Sequence, residues 1–135
     1  MILVIDDHWE TGRAVERLLT FQGYAVRTAS SGSEGIALAC ECRPRLVVAD
    51  ANLMNMPAED LRREMRFHGE LGDVPVVFYC PREPEDRHDD SVNFGPRDWL
   101  ARCGVSWSEL LAKVSNAYAH TPPLEGVPQA MFLVG

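Results

Sequence analysis

The 135-residue chain carries 20 acidic against 13 basic side chains, a formal net charge of −7, and is 46% hydrophobic. That length suits one ordinary domain, able to bury roughly two-thirds of its unfolded surface, and the acidic balance argues against a surface for nucleic acid or anionic membrane, which needs clustered Lys and Arg. No run reaches the ~20 apolar residues of a membrane span, and the apolar start at Ile2 meets acids at once, unlike a signal peptide. Cysteines at 40, 42, 80 and 103 form no disulfide framework, so a cytoplasmic protein with reduced thiols is expected.

Short apolar runs mark the strands: Ile2 to Ile5, a weaker one at Tyr24 to Val26, Leu46 to Ala49, Val74 to Tyr79, and Trp99 to Ala101. Continuous apolarity, without alternation, predicts strands covered on both faces, hence a mostly parallel sheet with helices either side. Ala14, Val15, Leu18 and Leu19 repeat at helical spacing and Gly23 stops the first helix. Ser31 and Glu34 form a capping-box pattern opening a second helix through Ile36, Ala37 and Cys40. A third helix follows Asn55, with Pro57, Glu59 and Asp60 in its first turn and Arg62, Arg63 and Arg66 beyond. Between Pro81 and Phe94 the prolines and acids leave only Val92 and Phe94 for a core, which predicts a short or mobile fourth helix. Ser106 and Glu109 repeat the capping-box spacing before a last helix striped by Leu110, Leu111, Val114 and Tyr118. The predicted order is βαβαβαβαβα. After the domain, residues 119–135 carry Pro122, Pro123 and Pro128 and end in an apolar run. That tail reads either as a linker or as a segment docking on this chain or on a second copy in a homodimer.

In an open parallel α/β sheet, ligands bind beyond the carboxyl ends of the strands. The residues there are Asp6 and Asp7 after the first strand, Asp50 after the third, Cys80 after the fourth and Arg102 after the fifth. If the first and third strands are neighbours, three carboxylates converge, each pair repelling by about 3 kcal/mol at ~5 Å and an effective dielectric near ~20. Such a cluster invites a hard divalent cation, and Mg²⁺ suits oxygen ligands in a partly open site.

The segments Ile2 to Asp7, Leu46 to Asn52, Pro75 to Cys80 and Trp99 to Arg102 together resemble the signature strands of response-regulator receiver domains, the phosphoacceptor modules of two-component signalling. The likeness covers residues 1 to about 117. It implies a flavodoxin-like, doubly wound five-stranded parallel sheet of order 2-1-3-4-5, with residues 1–118 as the receiver domain. Asp50 would be the phosphoacceptor, Asp7 and Asp50 would supply oxygens to Mg²⁺, Asn52 a backbone carbonyl, and Asp6 would act mainly through water. The implied partners are a histidine kinase or phosphotransfer protein and an output domain or partner protein. The implied chemistry is limited to the module's own phosphorylation and dephosphorylation.

Several positions depart from the family pattern. Cys80 stands where the family has Ser or Thr, a weaker donor to a phosphoryl oxygen, and Arg102 replaces Lys with a longer, forked cation. Cys103 replaces proline, Leu53 and Met54 replace Met-Pro, Ala58 replaces Gly, and Trp99 stands at the aromatic switch position. The alternative is a pseudo-receiver, the same fold acting as a phosphorylation-independent protein-binding module. A flavin-binding protein and a small aspartyl-phosphate hydrolase are weaker rivals. His8 reads as a loop histidine more readily than a pocket residue, Cys80 as a core-edge residue, and Cys40 and Cys42 as structural, lacking a second ligand pair at zinc spacing.

Overall fold

The computed structural model describes residues 1–79, the backbone of 98–101, and residues 107–119. In chain order the elements are β1 (Ile2–Ile5), α1 (Trp9–Phe21), β2 (Val26–Ala29), α2 (Gly32–Cys42), β3 (Leu46–Asp50), α3 (Ala58–Phe67), a 3-10 turn (Gly69–Leu71), β4 (Val76–Tyr79), β5 (Asp98–Ala101) and α4 (Trp107–Ala119). All neighbouring strands pair in parallel, in the order β2-β1-β3-β4-β5. The doubly wound parallel sheet expected from the apolar runs is therefore present. The expected helix between Pro81 and Phe94, the Ser106 cap and the tail lie outside the described residues.

Period-two alternation divides the core between the two faces of the sheet. Leu3, Ile5, Val47, Ala49, Val76 and Phe78 pack against Ile36 and Ala39 of α2 and Leu61 and Met65 of α3. Ile2, Val4, Leu46, Val48, Val77 and Tyr79 pack against Val15 and Leu19 of α1 and Leu110, Val114 and Ala117 of α4. β1, β3 and β4 are buried along their whole lengths, which is why they lack polar alternation. Helix α2 approaches β1 so closely that a Cβ at Gly35 would fall 2.4 Å from Ile5 Cδ1. Ser31 caps that helix, its hydroxyl accepting the Glu34 N–H at 3.1 Å, while Glu34 reaches back to the Ser30 hydroxyl at 2.8 Å and not to the Ser31 amide of a full capping box.

Two strand bounds differ from the sequence expectations. β2 runs from Val26 to Ala29 and not from Tyr24, because at the sheet edge Arg27 and Thr28 stay exposed and interrupt the apolar signal. β3 continues one residue further, taking Asp50 into the strand. On α2 the buried residues are Gly32, Gly35, Ile36 and Ala39, and Ala37 and Cys40 face solvent.

Among the helix cations, Arg62 is only 6% exposed. Its guanidinium donates to the carbonyls of Val74 at 2.9 Å and Gly72 at 3.0 Å, tying α3 to the chain entering β4. Arg63 is exposed and pairs with Asp60 at 3.4 Å. Arg62→Ala should therefore cost about 2–3 kcal/mol in urea unfolding, since charged donors to partly buried carbonyls are lost, whereas Arg63→Ala should cost under ~0.5 kcal/mol. Equal losses for the two variants would contradict the assignment.

Candidate functional site

The register of β1 on β3 pairs Ile5 with Ala49, so one further step sets Asp6 beside Asp50. Asp6 continues the parity of Ile2 and Val4, and Asp50 that of Leu46 and Val48, so both belong to the sheet face covered by α1 and α4. Each is buried, Asp6 at 4% and Asp50 at 1% exposure. Both aspartates fold the chain that follows in the same way: Asp6 Oδ1 accepts the His8 N–H and Asp50 Oδ1 accepts the Asn52 N–H, each at 2.8 Å. These i to i+2 bonds are Asx-type turns that end the strands and fix the carboxylates. Asp7 Oδ2 accepts the Met54 N–H at 2.8 Å, joining the loop after β1 to the loop after β3. At the end of β4, the Tyr79 hydroxyl donates to Asp6 Oδ2 at 2.5 Å.

Side-chain donors of Asp6, Asp7, His8 and Asp50 lie within 4.8 Å of one another. The three acids singled out in the sequence are thus brought together. His8, expected as a loop residue, instead lies with them: its Nδ1 is 2.9 Å from Asp7 Oδ1, 3.5 Å from Asp6 Oδ1 and 3.7 Å from Asp50 Oδ2. Tyr79 was not singled out in the sequence at all. Its signal was a hydroxyl-bearing aromatic at the last position of a buried strand, which requires a polar partner. Asn52 stands in the loop after β3, its N–H facing Asp50. Gly12 of α1 permits the helix to pass Asp6, since a Cβ there would lie 3.2 Å from the Asp6 Cβ. Cys80, Arg102 and Cys103 lie outside the described residues, and of Trp99 only its backbone place in β5 is described.

Burial pushes the Asp50 carboxyl up to about 6; the Asn52 N–H opposes the rise, Asp6 and Asp7 add to it, and His8 opposes it. Burial, then the neighbouring Asp6 carboxylate, holds the Tyr79 hydroxyl far above its ordinary value, so it remains a donor. The site is an oxygen-rich pocket whose central carboxylate loses its proton reluctantly. A divalent cation fits this donor set, because its charge would offset both the burial and the neighbouring carboxylates that raise Asp50.

The sequence profile of the response regulator receiver domain matches residues 2–115. The chain belongs to that family. It is 30% identical over 125 residues to the response regulator MprA of Mycobacterium sp. strain KMS, covering 93% of this chain and 53% of that protein. The corresponding figures for MprA of Mycolicibacterium vanbaalenii are 28% over 129 residues, 96% and 54%. This receiver chain therefore spans about half the length of the curated relatives it matches. Among solved structures, a receiver domain protein from Clostridium thermocellum superposes with TM-score 0.72 at 26% identity, covering 87% of this chain and 93% of that one. The receiver domain of a signal transduction histidine kinase from Syntrophus aciditrophicus shares the fold with TM-score 0.78 at 19% identity, covering 94% and 96%.

The raised Asp50 carboxyl has a consequence for stability of the receiver. Its folded value of about 6 exceeds the ordinary 3.8, so the native state binds more protons than the unfolded chain between those values and stability falls as pH rises through them. Above about pH 6 the ionised group is a constant burden, of up to about 3 kcal/mol by linkage. Asp50→Asn should consequently unfold at higher urea than wild type at pH 7 in EDTA, and the gap should narrow at pH 5. A variant less stable than wild type under both conditions would contradict this electrostatic account.

Proposed function

We propose that this chain is a phosphoacceptor receiver whose Asp50 takes a phosphoryl group in a Mg²⁺-dependent reaction and thereby alters protein–protein contacts. The observation that carries the reading is the convergence of Asp6, Asp7 and Asp50 within 4.8 Å at the carboxyl end of β1 and β3. Asp50 Oδ1 accepts the Asn52 N–H, and one oxygen of this carboxylate would attack while the other holds the cation. Without metal the Asp50 carboxyl is raised to about 6, so it is ionised near pH 7, and a bound cation would favour that ionised form further. Its oxygen attacks phosphorus in line; the O–P bond forms as the P–N bond of a phosphohistidine breaks, and the departing imidazole takes a proton from solvent.

Asp7 and Asp50 would hold the cation together with the backbone carbonyl of Asn52, with Asp6 acting through water. Bound Mg²⁺ supplies neutralisation of charge on the transferring oxygens. Arg102 would pair with the phosphoryl group, the Cys80 thiol would donate to it weakly, and Trp99 would relay the change. The partners on this reading are a histidine kinase or phosphotransfer protein upstream and an output domain or partner protein downstream. Residues 1–118 form the module and residues 119–135 connect or dock it.

Incubation with acetyl phosphate and Mg²⁺ should add one phosphoryl group to the intact mass of the wild type. Asp50→Asn, or wild type in EDTA, should gain none. Wild type that stays unmodified while beryllofluoride leaves its tryptophan emission unchanged would overturn phosphoacceptance and favour a phosphorylation-independent binding module.

A further inference from the structure

We propose that His8 is a metal ligand and makes this pocket prefer a nitrogen-accepting transition cation over Mg²⁺, an inference that rests on the metal-binding reading above. Two ligands at right angles on an ion with bonds of ~2.1 Å lie ~3.0 Å apart, and opposite ligands ~4.2 Å apart. The His8 Nδ1 distances to the two carboxylates proposed as ligands, 2.9 Å to Asp7 Oδ1 and 3.7 Å to Asp50 Oδ2, fall within or at the edge of that range. The ring nitrogen therefore stands where one coordination position of a shared cation would be, a position that an all-oxygen site fills with water. The residue is also anchored to the cluster through its backbone, since the His8 N–H is bonded to Asp6 and Asp6 is bonded to Tyr79.

The donor set then decides selectivity. Mg²⁺ is hard, sheds water reluctantly and gains little from exchanging a water for imidazole. First-row transition cations of similar charge accept carboxylate oxygen and imidazole nitrogen together, and bind such mixed sites more tightly. The His8 ring thus adds affinity for those ions while leaving the Mg²⁺ affinity nearly unchanged.

Mn²⁺ is the probe, because its electron paramagnetic resonance counts bound ion directly and its spin echo is modulated by a coordinated ¹⁴N. Tag-free full-length wild type should bind one Mn²⁺ with nitrogen modulation and lose it to competing Mg²⁺ only at large excess. In His8→Asn the modulation should vanish and the preference for Mn²⁺ over Mg²⁺ should fall at least roughly tenfold, the scale on which metal-site substitutions act. Mn²⁺ bound by wild type without nitrogen modulation, modulation that persists in His8→Asn, or an unchanged preference would each overturn the role of His8 while leaving the receiver's metal site standing. Failure of wild type to bind either ion would overturn the metal-binding reading itself, and this inference with it.

Discussion

Ionised carboxyl groups held within 4.8 Å of one another repel, and the carboxyl end of this sheet is organised around the repulsion among Asp6, Asp7 and Asp50. At an effective dielectric near ~20, each pair costs about 3 kcal/mol at ~5 Å. The fold answers with donors fixed to each group. The backbone N–H of His8 serves Asp6, that of Asn52 serves Asp50 and that of Met54 serves Asp7, while the Tyr79 hydroxyl takes the second oxygen of Asp6. These bonds position the charges without cancelling them: burial first, and then Asp6 and Asp7, still raise the Asp50 carboxyl. What remains is a cluster of carboxylates whose charge favours a cation, the feature on which the proposed metal binding rests.

Such an arrangement needs a rigid support, and the sheet provides it. β1 and β3 are buried on both faces, so neither strand can slip without moving apolar side chains out of the core. Strand parity places Asp6 and Asp50 on the same face, and register places them side by side. α1 and α2 pass the sheet closely at Gly12 and Gly35, where a side chain would crowd Asp6 and collide with Ile5 respectively. Arg62 anchors the entry to β4, the strand that brings Tyr79 to the site. Helix α4 is held at its far end by Arg45, whose guanidinium lies 4.3 Å from the Tyr118 ring and donates to the Tyr118 carbonyl.

Much of this was legible in the sequence, for identifiable reasons. Fully buried strands leave uninterrupted apolar runs, and acids that directly follow such runs stand out, so β1, β3 and the trio of aspartates could be read directly. The Ser31 cap has a spacing of its own and was equally plain. β2 was misplaced because an edge strand is half exposed and Arg27 and Thr28 conceal it. The buried face of α2 was hard to read because glycines supply much of it and leave no apolar signature. His8 and Tyr79 were undervalued for a different reason: whether a ring points into a pocket depends on a turn closed by one hydrogen bond and on which neighbouring strand end it meets. Neither is encoded in local spacing. Arg62 likewise looked like its neighbours Arg63 and Arg66, and only the path of the chain into β4 separates them.

The most direct test of a shared cation uses the three amides that already report on the three carboxylates. In a Mg²⁺ titration followed by ¹H–¹⁵N correlation spectra, the His8, Asn52 and Met54 amides should shift together and fit a single dissociation constant, because each donates to one of the acids. Amides that remain fixed at saturating Mg²⁺, or that fit unrelated constants, would show that Asp6, Asp7 and Asp50 do not act as one site.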